Sequence, residues 1–450
     1  MTCQHDLGSE SAYTVDASRV TFGVGALREV ADRLAPYAVR RVALVTDPRV
    51  RECLDDLGVH DSLTAAGFEV TVFDEVAVEP TDESLATAVA WAREARPDAF
   101  VSLGGGSVID TAKIANLLAT HDGELIDYVN APIGGARAVP GPLKPHLACP
   151  TTSGTGSEVT GIAIFDLLSR HAKTGVSSPA LRPTEAIVDP RVTATLPPAV
   201  VAASGLDVLC HALESLTARP FTARDAPVPA TSRPASQGAN PWSDLGCREA
   251  LTLIGRHLRD AVAGDEQARH QMMWAATLAG IAFGNAGVHA PHAMAYAVAG
   301  RVRDYRPPGY PQEIPLVPHG FAVAVNAPAA FRFLAPTAPA RHLLGAALLD
   351  PTLARELTAG QPVPMDALWA DSPAVESRAD EAGDAVAETL AALMRDVGAP
   401  NGLAGVGYTA DDVPALVEGA APQRRLLDNA PAPIHEDELA SIFEQAVSIW

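Results

Sequence analysis

Lysine is nearly absent from this 450-residue chain: only Lys113, Lys144 and Lys173 occur. Arginine supplies the rest of the 33 basic residues, against 54 acidic ones, and the formal net charge is -21. A balance this acidic repels a phosphate backbone at long range, so no nucleic-acid partner is expected. Cysteine is scarce as well. Cys3, Cys53, Cys149, Cys210 and Cys247 are scattered, odd in number and without a C-x-x-C pair. Reduced thiols in a cytoplasmic protein are the expectation. No uninterrupted apolar run reaches the roughly eighteen residues of a membrane span, so no membrane partner is expected. The opening M-T-C-Q-H-D-L-G-S-E-S has neither a basic region with an apolar core nor an arginine-rich pattern, and no targeting segment is expected in it.

Against these absences stands a hydrophobic content of 48%, enough for two cored domains at this length. The first half alternates strand-like and helix-like segments. Residues 19–23 and 41–47 read as strands, 26–34 as a helix, and 99–103 as a buried strand followed by three glycines and another helix. Strand, crossover helix, strand predicts a doubly wound parallel sheet. Beyond about residue 197 the spacing is helical, at 200–217, 244–263, 267–286 and 380–396. An α/β domain over residues 1–192 followed by an all-α domain over 193–450 is expected. Two proline-broken stretches, 218–241 and 301–318, are either surface insertions or substrate-contacting loops.

Three places in the first half suit a dinucleotide. Gly104, Gly105, Gly106 and Ser107 join a strand to a helix, where glycine lets backbone approach a pyrophosphate and the helix N-terminus offers free N–H groups. The pattern is not G-x-G-x-x-G, and a plain tight turn would look the same. The loop P-T-T-S-G-T-G-S-E (150–158) is rich in hydroxyls for phosphate and ribose. Asp47 ends a strand, where a carboxylate would accept ribose hydroxyls and favour NAD over NADP; capping a helix that starts at Pro48 is the equal alternative.

The second half carries G-L-D-V-L-C-H-A-L-E-S (205–215). Asp207 and His211, four residues apart, share one helical face. His292 in V-H-A-P-H-A-M and His319 in V-P-H-G complete a carboxylate and three imidazoles, a set suited to a divalent transition metal. Each alone would more often be a satisfied structural residue; jointly, behind a dinucleotide-type domain, they read as a ligand set. His289 is either a fifth cavity residue or a buried structural one. Metal plus dinucleotide points to hydride transfer at an alcohol or carbonyl carbon.

These motifs resemble the iron-containing (group III) alcohol dehydrogenases: G-G-G-S-V-I-D (104–110), P-T-T-S-G-T-G-S-E-V-T (150–160), D-V-L-C-H-A-L-E (207–214), H-A-M (292–294) and P-H-G (318–320). The resemblance implies that Asp207, His211, His292 and His319 bind the metal, Fe²⁺ in preference to Zn²⁺. It implies that Gly105, Gly106, Ser107, Thr151 and Thr152 contact NAD, with Lys173 near the nicotinamide ribose. Residues 232–244, 283–289, 316–320 and 405–417 resemble the transhydrogenase subgroup, which oxidises 4-hydroxybutyrate and reduces 2-oxoglutarate. Many family members carry a second histidine in H-x-M-x-H, where this chain has Tyr296. Proton transfer through Tyr296 or His289 is the expectation. Arg224 and Arg233, with Arg301 and Arg303 behind them, are candidates for binding substrate carboxylates. A homo-oligomer acting on small hydroxyacids and oxoacids is expected. An ordinary NAD-dependent dehydrogenase that releases NADH shares every motif and stays open. A lyase of the dehydroquinate-synthase type is disfavoured by the three lysines, and a non-catalytic sensor by the lack of an added effector segment.

Overall fold

The structure, a computed structural model, describes residues 8–170, 172–358 and 378–450. Cys3 lies outside the described residues. The chain divides into two compact units, one of residues 16–196 and one made of the described residues before Asp16 together with Pro197–Trp450.

The first unit is built on six parallel strands: β1 (Arg19–Phe22), β2 (Arg41–Val45), β3 (Glu69–Phe73), β4 (Ala99–Gly104), β5 (His146–Pro150) and β8 (Glu185–Val188), in the order β1-β8-β5-β4-β2-β3. The central strands are buried on both faces, as continuous apolar runs such as R-V-A-L-V require. Val42 and Leu44 point into one core with Leu27, Val30 and Leu34, while Ala43 and Val45 point into the other with Phe73, Phe100 and Val108. Two crossover helices matter here, α1 (Asp82–Ala95) and α2 (Gly106–Thr120). From β2 the chain steps to β3 on one side and to β4 on the other, so the strand order reverses between β2 and β4. The carboxyl ends of strands at such a reversal are where open α/β sheets bind ligands.

An antiparallel pair, β6 (Ile162–Leu167) and β7 (Ala172–Ser177), stands apart from this sheet and was not anticipated. Strand β6 alternates buried and half-buried residues, a weak signal in a six-residue segment.

The second unit is helical among its described residues. Its main helices near the site are α3 (Pro198–Thr217), α4 (Pro241–Ala263), α5 (Glu266–Ala286), α6 (Ala290–Gly300) and α7 (His319–Ala324). The starts of α3 and α4 precede the expected ones by two and three residues, because Pro198 and Pro241 sit in the first turn, where a missing N–H costs nothing, and α5 begins one residue early behind the Asp265 cap. By length and composition α3 could cross a membrane, but 83% of its apolar window is buried inside protein, which makes it a core helix.

The expected division after residue 192 needs one correction. The N-terminal residues belong with the helical unit, because backbone bonds tie them to the 218–241 insertion. Glu10 N–H donates to Arg224 O at 2.7 Å, Ala226 N–H to Gly8 O at 2.8 Å, and Thr14 N–H to the Gln237 side chain at 2.7 Å.

Candidate cofactor loops and metal centre

In the first unit, three loops leave the carboxyl ends of the adjacent strands β2, β4 and β5. Gly105 caps α2 with no side-chain hydrogen bond, so the first-turn N–H groups of a fifteen-residue helix keep their capacity for an anion. A Cβ on Gly106 would lie 2.5 Å from Thr155 Cγ2, and one on Gly105 would touch Thr152 at 3.4 Å. The glycines therefore let the 104–107 loop close against the 150–158 loop. Lys113, fully buried on α2, fastens the pair: its Nζ donates to Ser157 Oγ and Ile162 O, both at 2.6 Å, and lies 3.4 Å from Asp110. Asp110 in turn accepts from Ile164 N–H at 2.9 Å and from Ser157 Oγ. Thr151 and Thr152 open the second loop; the first is buried, the second half-buried.

Asp47 caps the helix beginning at Pro48, accepting from Arg49 N–H at 2.9 Å and Val50 N–H at 3.0 Å. The capping alternative is thus realised through Oδ1. Ser107 Oγ accepts from Glu79 N–H at 3.3 Å. Lys173, on β7, is buried with its Nζ 2.5 Å from Glu79 and 3.3 Å from Asp166. Burial alone would disfavour its charge, but the two carboxylates outweigh it and hold the ammonium charged.

In the second unit the four expected ligands converge. Asp207 Oδ1 lies 3.7 Å from His211 Nε2, 3.5 Å from His292 Nε2 and 3.8 Å from His319 Nε2. One ligand atom each from Asp207, His292 and His319 falls within a 4.8 Å sphere of mutual distances. Asp207 and His292 are buried, and Asp207 Oδ1 and His292 Nε2 have no hydrogen-bond partner. Buried polar atoms left in this way are costly unless something polar sits between them. The spacing is too long for hydrogen bonds and right for a shared cation.

The local fold explains the convergence. A Cβ on Gly320 would strike Ala203 O at 1.8 Å and come within 3.1 Å of Asp207 Cβ, so only glycine lets the start of α7 rest on α3 one turn before Asp207. That contact delivers His319. On α6, Pro291 occupies the first turn and His292 follows it. Behind His292 sits Glu214, fully buried, whose Oε1 accepts from Nδ1 at 2.5 Å and whose Oε2 accepts from His289 N–H at 2.5 Å. This fixes the ring with Nε2 turned to Asp207. Glu214 was missed from sequence, although its place seven residues after Asp207, two turns along one face, could have suggested it. Phe283 stacks on His211 with ring centroids 4.1 Å apart.

Electrostatics follow the geometry. Burial would raise the Asp207 carboxyl, but His211, His319 and His292 hold it well below the usual range. Burial would strip the charge from His292, yet Glu214 and Asp207 push it up to about 9. His289 takes no place in the cluster: its Nε2 pairs with Thr217 Oγ1 at 3.0 Å, its ring meets Phe331 edge-on, and burial keeps it neutral. Tyr296 is buried one turn after His292, with its ring 6.4 Å from that of His319.

The four arginines fall elsewhere. Arg301 and Arg303 form exposed ion pairs with Glu418 and Asp412. Arg224 and Arg233 share a separate cavity with Arg219 and Glu10, beyond the C-terminal end of α3. Arg219 is twelve residues past Asp207, about 18 Å at helical rise.

A parallel sheet with dinucleotide-type loops, followed by a helical unit in which three histidine nitrogens lie within 3.8 Å of one buried carboxylate oxygen, defines a metal-dependent dehydrogenase class. The chain belongs to the iron-containing alcohol dehydrogenase family. Residues 17–190 match the iron-containing alcohol dehydrogenase model, and residues 201–447 match the C-terminal model of the same family. It is an oxidoreductase of that kind. The chain is 42% identical over 446 residues to the mitochondrial hydroxyacid-oxoacid transhydrogenase of Xenopus laevis, covering 98% of this chain and 92% of that one. With the human protein of the same name it shares 41% over 447 residues, at 98% and 91% coverage. Among solved structures, a 1,3-propanediol oxidoreductase superposes with a TM-score of 0.79 at 28% identity, covering 97% of this chain and all of that one.

Proposed function

We propose that this enzyme passes hydride from a hydroxyacid of the 4-hydroxybutyrate type to an oxoacid of the 2-oxoglutarate type, through an NAD that stays bound between half-reactions. The convergence of Asp207 Oδ1 with three histidine Nε2 atoms at 3.5–3.8 Å carries the metal-dependent part of this reading. Near-full-length identity to proteins named as transhydrogenases supports the acid substrates.

Asp207, His211, His292 and His319 would hold a divalent cation, Fe²⁺ by family and Zn²⁺ equally by ligand chemistry. Such a cation supplies Lewis acidity at the substrate oxygen. Glu214 keeps a proton on His292 Nδ1 and so presents the Nε2 lone pair. The uncapped start of α2 with Gly105, Gly106 and Ser107 would receive the NAD pyrophosphate, helped by Thr151 and Thr152. Asp47 has Oδ2 available for an adenosine ribose, and Lys173, held charged, would serve the nicotinamide ribose. Tyr296, whose ring lies 6.4 Å from that of His319, would hand on a proton.

The test mixes metal-loaded protein with 4-hydroxybutyrate and 2-oxoglutarate, adds no free NAD, and assays 2-hydroxyglutarate. Many turnovers per protein are expected. Product only after NAD is added, with NADH released, would make this an ordinary dehydrogenase instead.

A further inference from the structure

Beyond the metal centre, the helical unit contains a cavity of about 250 Å³ lined by Arg219, Arg224, Arg233, Glu10, Asp225 and Gln237. Three guanidinium groups against two carboxylates leave one positive charge, in a chain whose net charge is -21. The charges are unevenly matched. Arg233 is neutralised by Glu10, which it meets twice at 2.9 and 3.2 Å, and its third nitrogen donates to Thr14 Oγ1 at 3.0 Å. Among the described residues it is the one arginine of the three in an ion pair. Arg219 donates to Ala223 O and Arg224 to Asn429 Oδ1, both neutral acceptors. Arg224 is half-buried, and its Nε is buried with no hydrogen-bond partner. Burial and the neighbouring Arg219 both disfavour the Arg224 charge, and the Asp428 carboxylate offsets them only in part, so an anion between the two guanidinium groups relieves an unfavourable arrangement.

The cavity is also built rather than incidental. Residues 8–14 brace it from one side through the Glu10–Arg233 pair, and Gln237 exchanges two bonds with Thr14 at 2.7 and 2.8 Å. Asn429 holds it from the other side, its amide donating to Ala286 O and Val288 O at 3.1 Å while its oxygen receives Arg224.

We propose that this cavity is an oxyanion site in which Arg219 and Arg224 bind the carboxylate of a small organic acid, apart from the Asp207 metal centre. Guanidinium forks pair bidentately with a carboxylate, as they do with a phosphate, and the phosphate arm of the test separates the two. The proposal does not depend on the transhydrogenase reading, because binding is measured without turnover.

The test is calorimetric titration of the metal-loaded full chain with 2-oxoglutarate, and separately with inorganic phosphate. A 2-oxoglutarate component is expected that Arg224→Gln weakens about ten- to a hundredfold, the range of a lost charge-assisted bond. Arg219→Gln should weaken it similarly, Arg224→Lys less, and Asp207→Ala should leave it within about twofold. Melting curves check that each variant is folded, and the Lys variant keeps the charge if Gln does not fold. Loss in Asp207→Ala with no change in either Gln variant would overturn the site. So would the absence of any binding. Phosphate binding as tightly as 2-oxoglutarate would overturn the carboxylate assignment.

Discussion

Glu214→Gln replaces a buried carboxylate that accepts two donors with an amide that can accept only one of them. The amide –NH₂ then faces either His292 Nδ1–H or His289 N–H, donor against donor. Loss of an outer partner of a metal-binding histidine typically weakens metal binding 10–100-fold, about 1.4–2.8 kcal/mol. A second effect works in the opposite direction. Against its burial, His292 is pushed up to about 9 by Glu214, with Asp207, so a cation arriving at pH 7 must displace a proton. Displacing that proton at pH 7 costs about 2.7 kcal/mol, and since His292 is still half protonated at pH 9 the wild-type affinity should climb roughly 50-fold from pH 7 to pH 9 on this account alone. Without the Glu214 charge that climb shrinks. The variant should therefore bind Zn²⁺ 10–100-fold more weakly at pH 9, and the deficit should narrow towards pH 7. Competition against a chelator of known affinity, at both pH values, measures it. A deficit equal at the two pH values would refute the proton competition, and no deficit at either would refute the orienting role of Glu214.

Two further outcomes follow from the first unit. Gly106→Ala drives a Cβ to 2.5 Å from Thr155 Cγ2 and 2.7 Å from its Oγ1. An overpacking cost of about 1–3 kcal/mol should appear as NADH binding weakened about five- to a hundredfold by fluorescence titration, with partial recovery in Gly106→Ala/Thr155→Ala. Wild-type affinity in the single variant would separate the loop contact from the cofactor. His146, buried and bonded to Ser102 Oγ at 2.8 Å, is pushed down to about 3 by burial and by Lys113. A histidine lowered on folding stabilises fully above its unfolded value and loses that contribution as pH falls, here between about 6.5 and 3. Between pH 6.5 and 4.5 the wild type should lose about 2 kcal/mol more than His146→Asn in urea unfolding. Parallel losses would show that another group sets the acid limb.

The elements that pack on both faces or along one long stripe were legible in the sequence. β2, β4 and helices α3 to α5 announce themselves through apolar runs and helical spacing. The parallel sheet was legible as a class, but its strand order belongs to no residue and came only with the fold. β6 and β7 did not register: I-A-I-F-D-L is apolar at nearly every position although its burial alternates, and A-K-T-G-V-S is mostly small or polar although Lys173 to Val176 are buried. At the site, Asp207, His211, His292 and His319 were readable because metal chemistry demands particular donors. Their partners were harder. Glu214 looks like one more acid in a helix until His292 is folded onto it. Arg224 and Arg233 drew notice as cations in an insertion, but sequence could not show that Glu10 and Asn429 would hold them in a cavity of their own. His289 shows the reverse: a histidine in the right motif whose ring the fold turns to Thr217.

The contact of Gly320 with Ala203 O has a consequence for how a cation enters. Two backbones meeting with no room for a methyl group fix where α7 begins, whatever the neighbouring side chains do. His319 is thereby aimed by main chain, His292 by a buried carboxylate and His211 by a stacked ring, each through contacts within the protein itself. Little chain ordering is then left for the ion to bring about, unlike small zinc domains that fold only around their metal. The binding energy that such domains consume in folding would here remain in the grip on the ion itself.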